Sequence, residues 1–242
     1  MALEGVNIQW LGHSTFVITT PEGKTLLVDP WLRSNPKCPA EAYELTPDAV
    51  LITHGHFDHI GDVFEVAERC QGPFVGIFEL TSWLGSRGVA AEQLVGMNKG
   101  GTVELEELQV RVSMTDARHS SSFQEADGTS IYLGEAAGFV VEFSTGESLY
   151  IAGDTALFGD MAWIAEIYGP TVGILPIGDR FTMDPLQAAM AADLLELDVV
   201  IPCHFGTAPG LTGTPAQLIE YLESYEIEVD VVALEPGQEH SF

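Results

Sequence analysis

Thr53-His54-Gly55-His56-Phe57-Asp58-His59-Ile60-Gly61-Asp62 places three histidines and an aspartate between positions 54 and 59, directly after the apolar, strand-like run Ala49–Thr53. In a tight loop at a strand end, His54 and His56 can converge on one cation while Asp58 and His59 turn toward a second a few ångströms away. A polar turn that happens to be rich in histidine is the plainer reading. It accounts poorly for this spacing in a chain that has only seven histidines.

A pair of metal sites needs further ligands, including a carboxylate able to bridge, and these should stand at other strand ends. His119 follows the run Val103–Thr115, Asp154 ends LYIAGD and His204 ends VVIPCH, so all three occupy the same topological position. Singly, each has an ordinary explanation: a strand-end histidine is often structural, and an aspartate before Thr-Ala is often a helix cap. Their shared placement beside the first motif favours ligation.

Alternating or β-rich runs occur at Val6–Thr19, Lys24–Asp29, Ala49–Thr53, Pro73–Phe78, Val103–Thr115, Gly138–Phe143, Ser148–Gly153, Val172–Pro176, Val199–His204 and Val229–Leu234. Helical patterns cover Asp62–Cys70, Leu80–Arg87, Phe158–Tyr168, Pro185–Leu197 and Pro215–Tyr225. Each half opens on strands joined by a short turn, TTPEGK in the first and STGES in the second, and then alternates strand with helix. Wholly apolar runs such as VLITH and VGILP need cover on both faces, which predicts two stacked sheets with helices outside, an α/β protein with four αββα layers. Nothing resembles a linker, so residues 1–242 are read as a single domain.

The HxHxDH motif followed by single His, Asp and His residues resembles the metallo-β-lactamase superfamily, whose αββα sandwich matches that layering. WLGHSTF, HSSSF, GEAAGFVVEF, AGDTALFGDM and PIGDRFTM look like its uncharacterised metal-dependent hydrolase branch near the ascorbate-6-phosphate lactonases. Ala156 and the pair Asp179-Arg180 depart from that branch's usual pattern, the latter in a way that bears on the substrate pocket. The resemblance implies that His54, His56 and His119 hold a first metal, Asp58, His59 and His204 a second, and that Asp154 bridges. It implies hydrolysis of a small ester, lactone or phosphoester by a metal-bridging hydroxide, with Asp154 and Asp58 as the catalytic carboxylates. The His/Asp, thiolate-free set suits two divalent ions, Zn²⁺ first and Mn²⁺ by analogy with the lactonases.

His13, after WLG, reads as a substrate contact, a support for a ligand, or a tie between strands. Arg180 stands out as one of nine basic residues, in a loop after a buried strand, and reads as a contact to an anionic substrate or as a surface ion pair. His240 reads as surface.

Against those nine stand 36 acidic residues, a formal charge of −27. Such a surface repels phosphate backbones, which argues against nucleic-acid partners, and suits a salt-rich medium. Three scattered cysteines form no disulfide or CxxC pattern, and no secretion signal or membrane-length apolar run is visible, so a cytoplasmic, soluble protein is expected. A homo-oligomer is compatible with the sequence. The rival functions are an iron-dependent oxygenase or redox protein on the same fold, and a metal-binding protein without turnover.

Overall fold

The computed structural model describes residues 3–242. In chain order the strands are β1 (Asn7–Trp10), β2 (Phe16–Thr19), β3 (Thr25–Val28), β4 (Ala49–Leu51), β5 (Phe74–Ile77), β6 (Leu94–Met97), β7 (Thr102–Leu105) and β8 (Val110–Asp116). They continue with β9 (Ser122–Gln124), β10 (Ser130–Tyr132), β11 (Ala137–Glu142), β12 (Ser148–Ile151), β13 (Val172–Pro176), β14 (Val199–Cys203), β15 (Asp230–Val231) and β16 (Glu239–Ser241). The helices are α1 (Phe57–Ile60), α2 (Val63–Ala67), α3 (Phe78–Ser86), α4 (Met161–Tyr168), α5 (Pro185–Leu194) and α6 (Pro215–Ser224).

Two seven-stranded sheets result, ordered β16-β1-β2-β3-β4-β5-β6 and β15-β14-β13-β12-β11-β8-β7. Each is antiparallel at one end and parallel at the other: β3 to β6 run parallel in the first, β12 to β15 in the second. The apolar runs are explained by side-chain alternation between two cores. On β11, Phe139 and Val141 enter the core between the sheets while Val140 faces the helices; on β12, Leu149 and Ile151 divide from Tyr150 in the same way. The inter-sheet core draws Ile8, Phe16 and Leu26 from one sheet and Val112, Ile174 and Ile201 from the other. A second core packs Val140, Tyr150 and Leu175 against Ile164, Ala188 and Leu218 of α4 to α6. This is the αββα sandwich expected.

Two helices start where proline and a cap dictate. Asp184 accepts a hydrogen bond from the Gln187 N–H at 2.7 Å ahead of Pro185, and Thr214 with Gln217 forms a reciprocal capping box ahead of Pro215.

Differences from the expected elements have local causes. The run Val6–Thr19 is two strands, because Gly12 (φ 95°) and His13 (φ 56°) take left-handed conformations and turn the chain between β1 and β2. Val103–Thr115 breaks similarly at Gln109 (φ 53°). β6, the β9–β10 hairpin and β16 lie in stretches with too little apolar alternation to register. His240, expected at the surface, sits opposite Ile8 on β16, which closes the edge of the first sheet.

Candidate metal centre

The carboxyl ends of parallel strands in both sheets meet along one edge, the usual place for ligands in open α/β sheets. From β3 the chain leaves through Asp29, and from β4 through Thr53 and His54. Asp29 is 1% exposed and accepts three hydrogen bonds: from the Thr53 N–H (2.8 Å), the Thr53 hydroxyl (2.7 Å) and His59 Nδ1 (2.7 Å). A hydroxyl has one proton, and Thr53 has given it to Asp29. Thr53 Oγ1 therefore accepts from His54 Nδ1–H at 3.1 Å, which leaves the His54 Nε2 lone pair free. The same carboxylate turns His59 Nε2 away from itself. One buried aspartate thus sets the orientation of two imidazoles.

His56 precedes α1, and Asp58 and His59 lie on that single turn rather than in a loop. Gly55 lets the chain between the two histidines pass close to Leu133, whose side chain would have to shift to admit a Cβ there. His119 arrives from the loop after β8, which is laced to the loop after β12 by Arg118 N–H to Thr155 Oγ1 (2.9 Å) and Ala156 N–H to Arg118 O (3.2 Å). His204 follows β14 with φ 55° and donates its N–H to His13 O at 3.0 Å. Gly178, after β13, packs onto it so closely that a Cβ would fall 2.0 Å from His204 O.

All seven residues expected as ligands meet here. In one group His54 Nε2, His56 Nδ1 and His119 Nε2 face one another, with His56 Nδ1 3.0 Å from the first and 3.3 Å from the last. A second group joins Asp58, His59 and His204 with His13, all donor atoms lying within 4.8 Å of one another. Between them Asp154, 2% exposed, brings Oδ2 to 3.0 Å from His204 Nε2, 3.4 Å from His59 Nε2, 3.7 Å from His119 Nε2 and 4.0 Å from His54 Nε2.

The donor set fits divalent ions. Despite those short approaches, His59 Nε2, His204 Nε2 and Asp154 Oδ1 are buried without any hydrogen bond, so these atoms converge on shared space rather than on one another. Nitrogens about 3.3 Å apart are what tetrahedral ligation at roughly 2.0–2.1 Å requires. Burial, and after it the nearby imidazoles, hold His54 well below its ordinary pKa; burial also lowers His56 and His119, and all three stay neutral lone-pair donors. Burial acts against ionisation of Asp154, but His204 and His59 outweigh it and hold the carboxyl well below the usual range. At Asp58 burial likewise opposes, and the His13 hydrogen bond and His59 prevail, lowering it from 3.8 to about 2. His59 is the exception: burial lowers its pKa, yet Asp154 and Asp29 raise it well above 6.5. Both carboxylates are therefore anionic at neutral pH, the form that ligates.

His13 is 3% exposed, with Nε2 3.2 Å from Asp58 Oδ2 and Nδ1 3.0 Å from Thr207 Oγ1, so it lies inside the cluster beside Asp58. Arg180 is exposed on the loop after β13, its guanidinium 5.1 Å above the Phe181 ring. Asp29 went unnoticed in the sequence, although LLVDP puts it at a strand end by the criterion that found Asp154. Ser121 Oγ accepts from the Gly55 N–H at 3.1 Å. Cys203 is buried, as are Cys38 and Cys70, all as free thiols. No helix among the described residues is long and apolar enough to cross a membrane.

A two-sheet sandwich with a His/Asp cluster at the shared strand edge defines the class, and comparison with known proteins agrees. Residues 24–205 match the family model described as a β-lactamase superfamily domain. Proteins named UPF0173 metal-dependent hydrolase are similar along their whole length: that of Roseiflexus sp. (strain RS-1) is 46% identical, covering 96% of this chain and 95% of its own. The one from Methanopyrus kandleri is 43% identical over 97% and 99%. Among solved structures, Igni18, a metallo hydrolase from the archaeon Ignicoccus hospitalis, superposes with a TM-score of 0.84 at 35% identity, covering 98% of both chains. The chain belongs to the metallo-β-lactamase superfamily and is a metal-dependent hydrolase.

Proposed function

We propose that the chain is a two-metal hydrolase of small esters, lactones or phosphoesters. His54, His56 and His119 would hold one ion and Asp58, His59 and His204 the other, with Asp154 placed between the two groups to serve both. The observation that carries this reading is the single oxygen Asp154 Oδ2, which imidazole nitrogens of both groups approach to between 3.0 and 4.0 Å. Zinc is the favoured metal and manganese the alternative, because the donors are nitrogen and oxygen with no thiolate. When bound, such ions polarise the oxygen of the scissile group and bring the pKa of a shared water toward neutrality.

The chain's own residues do the rest. Asp29 and Thr53 fix the tautomers of His59 and His54, so that Nε2 of each faces inward. His13 holds Asp58 Oδ2 in place. Asp154 Oδ1, the carboxylate oxygen without a partner, is placed to take a proton from the attacking water and pass it to the leaving oxygen. His56 and His119, less buried than His54 and His59, mark the side from which a small-molecule substrate enters.

The test is a screen of lactones, aryl esters and bis-aryl phosphodiesters with zinc- or manganese-loaded protein, repeated with His119→Ala. Metal-dependent turnover that disappears in the variant, with the far-ultraviolet circular dichroism unchanged, is expected. Turnover that survives His119→Ala contradicts the assignment.

A further inference from the structure

Apart from Lys37 and Arg180, every lysine and arginine is ion-paired to a carboxylate among the described residues. Arg180 is the unpaired guanidinium on the ligand-bearing edge; the unpaired Lys37 backs onto Gly12, on the other side of the centre. The loop that carries it is tied to both halves of the centre: Gly178 packs on His204, and Met183 donates its N–H to Thr155 O at 3.0 Å, one residue from Asp154. A closing bond from Asp179 N–H to Met183 O (3.0 Å) fixes the loop's shape.

Within it Asp179 (φ 66°) and Arg180 (φ 59°) are consecutive left-handed residues, neither of them glycine. Left-handed backbone is unfavourable for residues with a side chain, and such strain persists where the surrounding structure holds it in place. The neighbouring carboxylate does not neutralise the guanidinium, because Asp179 Oδ1 accepts the Arg180 N–H instead, at 2.6 Å. The guanidinium rests on the Phe181 ring and against Gly210, where a Cβ would come within 2.8 Å of Nη1. Gly210 belongs to the segment after His204 whose Thr207 meets His13. An uncompensated fork of donors is thus carried on a loop tied to the centre, in a molecule whose net charge of −27 repels anions.

We propose that Arg180 is an anion-recognition residue and that the substrate carries a carboxylate or phosphate group remote from the bond being cleaved. This rests on the reading of the cluster as a hydrolytic centre. Bidentate donation from a guanidinium suits either oxyanion.

Binding of three non-hydrolysed amides to the metal-loaded protein tests it: neutral N-(4-nitrophenyl)butanamide, N-(4-nitrophenyl)succinamate, and N-(4-nitrophenyl)-3-phosphonopropanamide. At least one anion should bind about tenfold tighter than the neutral amide, as one charge-assisted contact allows. Which of the two gains more identifies the group. In Arg180→Ala that ratio should fall toward one, and Arg180→Lys should retain part of it. Arg111→Ala, which changes the net charge equally on a distant strand, should keep it. A wild-type ratio near one, a ratio that survives Arg180→Ala, or an equal loss in Arg111→Ala overturns the proposal. Turnover of the corresponding 4-nitrophenyl esters is read separately, so inactivity counts against the hydrolytic reading and lost discrimination against Arg180.

Discussion

Asp29 has no reacting atom to touch, yet it accepts three hydrogen bonds from Thr53 and His59 while almost wholly buried. Replacing it by Asn keeps the shape but turns an amide group toward those donors, so His59 and, through Thr53, His54 lose their fixed tautomers. Asp29→Asn is expected to weaken metal binding by about 10–100-fold in a chelator-competition titration. Unchanged affinity would show that the ligands hold their own orientation. His13 acts at the same scale through Asp58, and on the proposed ligand assignment His13→Ala should weaken the ion assigned to Asp58, His59 and His204 more than the other. Loss of both ions together, or of neither, in metal analysis of that variant would contradict its role.

Close packing between elements is what brings the two halves of the site together. Gly178 matters because its φ is ordinary while the space beside it is filled by His204 O, so the cost of a side chain there is steric alone. Gly178→Ala should destabilise by roughly 1–3 kcal/mol, read from the urea midpoint, and should lower metal affinity by displacing His204. Loss of stability with full metal affinity would mean that the backbone after β13 yields elsewhere. The seven residues of the cluster were legible in the sequence because His54, Asp154 and His204 end apolar runs, His119 follows one closely, and His56, Asp58 and His59 are crowded behind His54; β13 matched its run end to end. The turn at Gly12-His13 was hidden inside the run Val6–Thr19, since one glycine within an apolar run is a weak mark and left-handed backbone at His13 leaves none. Asp29 was hidden differently: its partners, Thr53 and His59, are distant in sequence, and a single carboxylate announces nothing until they are seen to meet. β16 is short and polar, paired only because the chain end returns to Asn7–Gln9.

Over the whole molecule, 36 acidic against nine basic residues makes self-repulsion a destabilising background that salt should relieve. The melting temperature of the metal-loaded protein is expected to rise from about 0.1 M to about 2 M KCl, as the screening length contracts from roughly 10 Å to below roughly 3 Å. A flat profile would assign the acidity to something other than a saline environment. The same field is the background against which an anionic substrate must be drawn in, which makes an uncompensated guanidinium on a loop tied to the site informative.

The central claim is that two cations share Asp154, and metal quantification on the purified chain after loading and desalting tests it most directly. Two equivalents of zinc or manganese per chain, falling below two in Asp154→Ala, are predicted. A single equivalent, or none under any loading condition, would contradict the account.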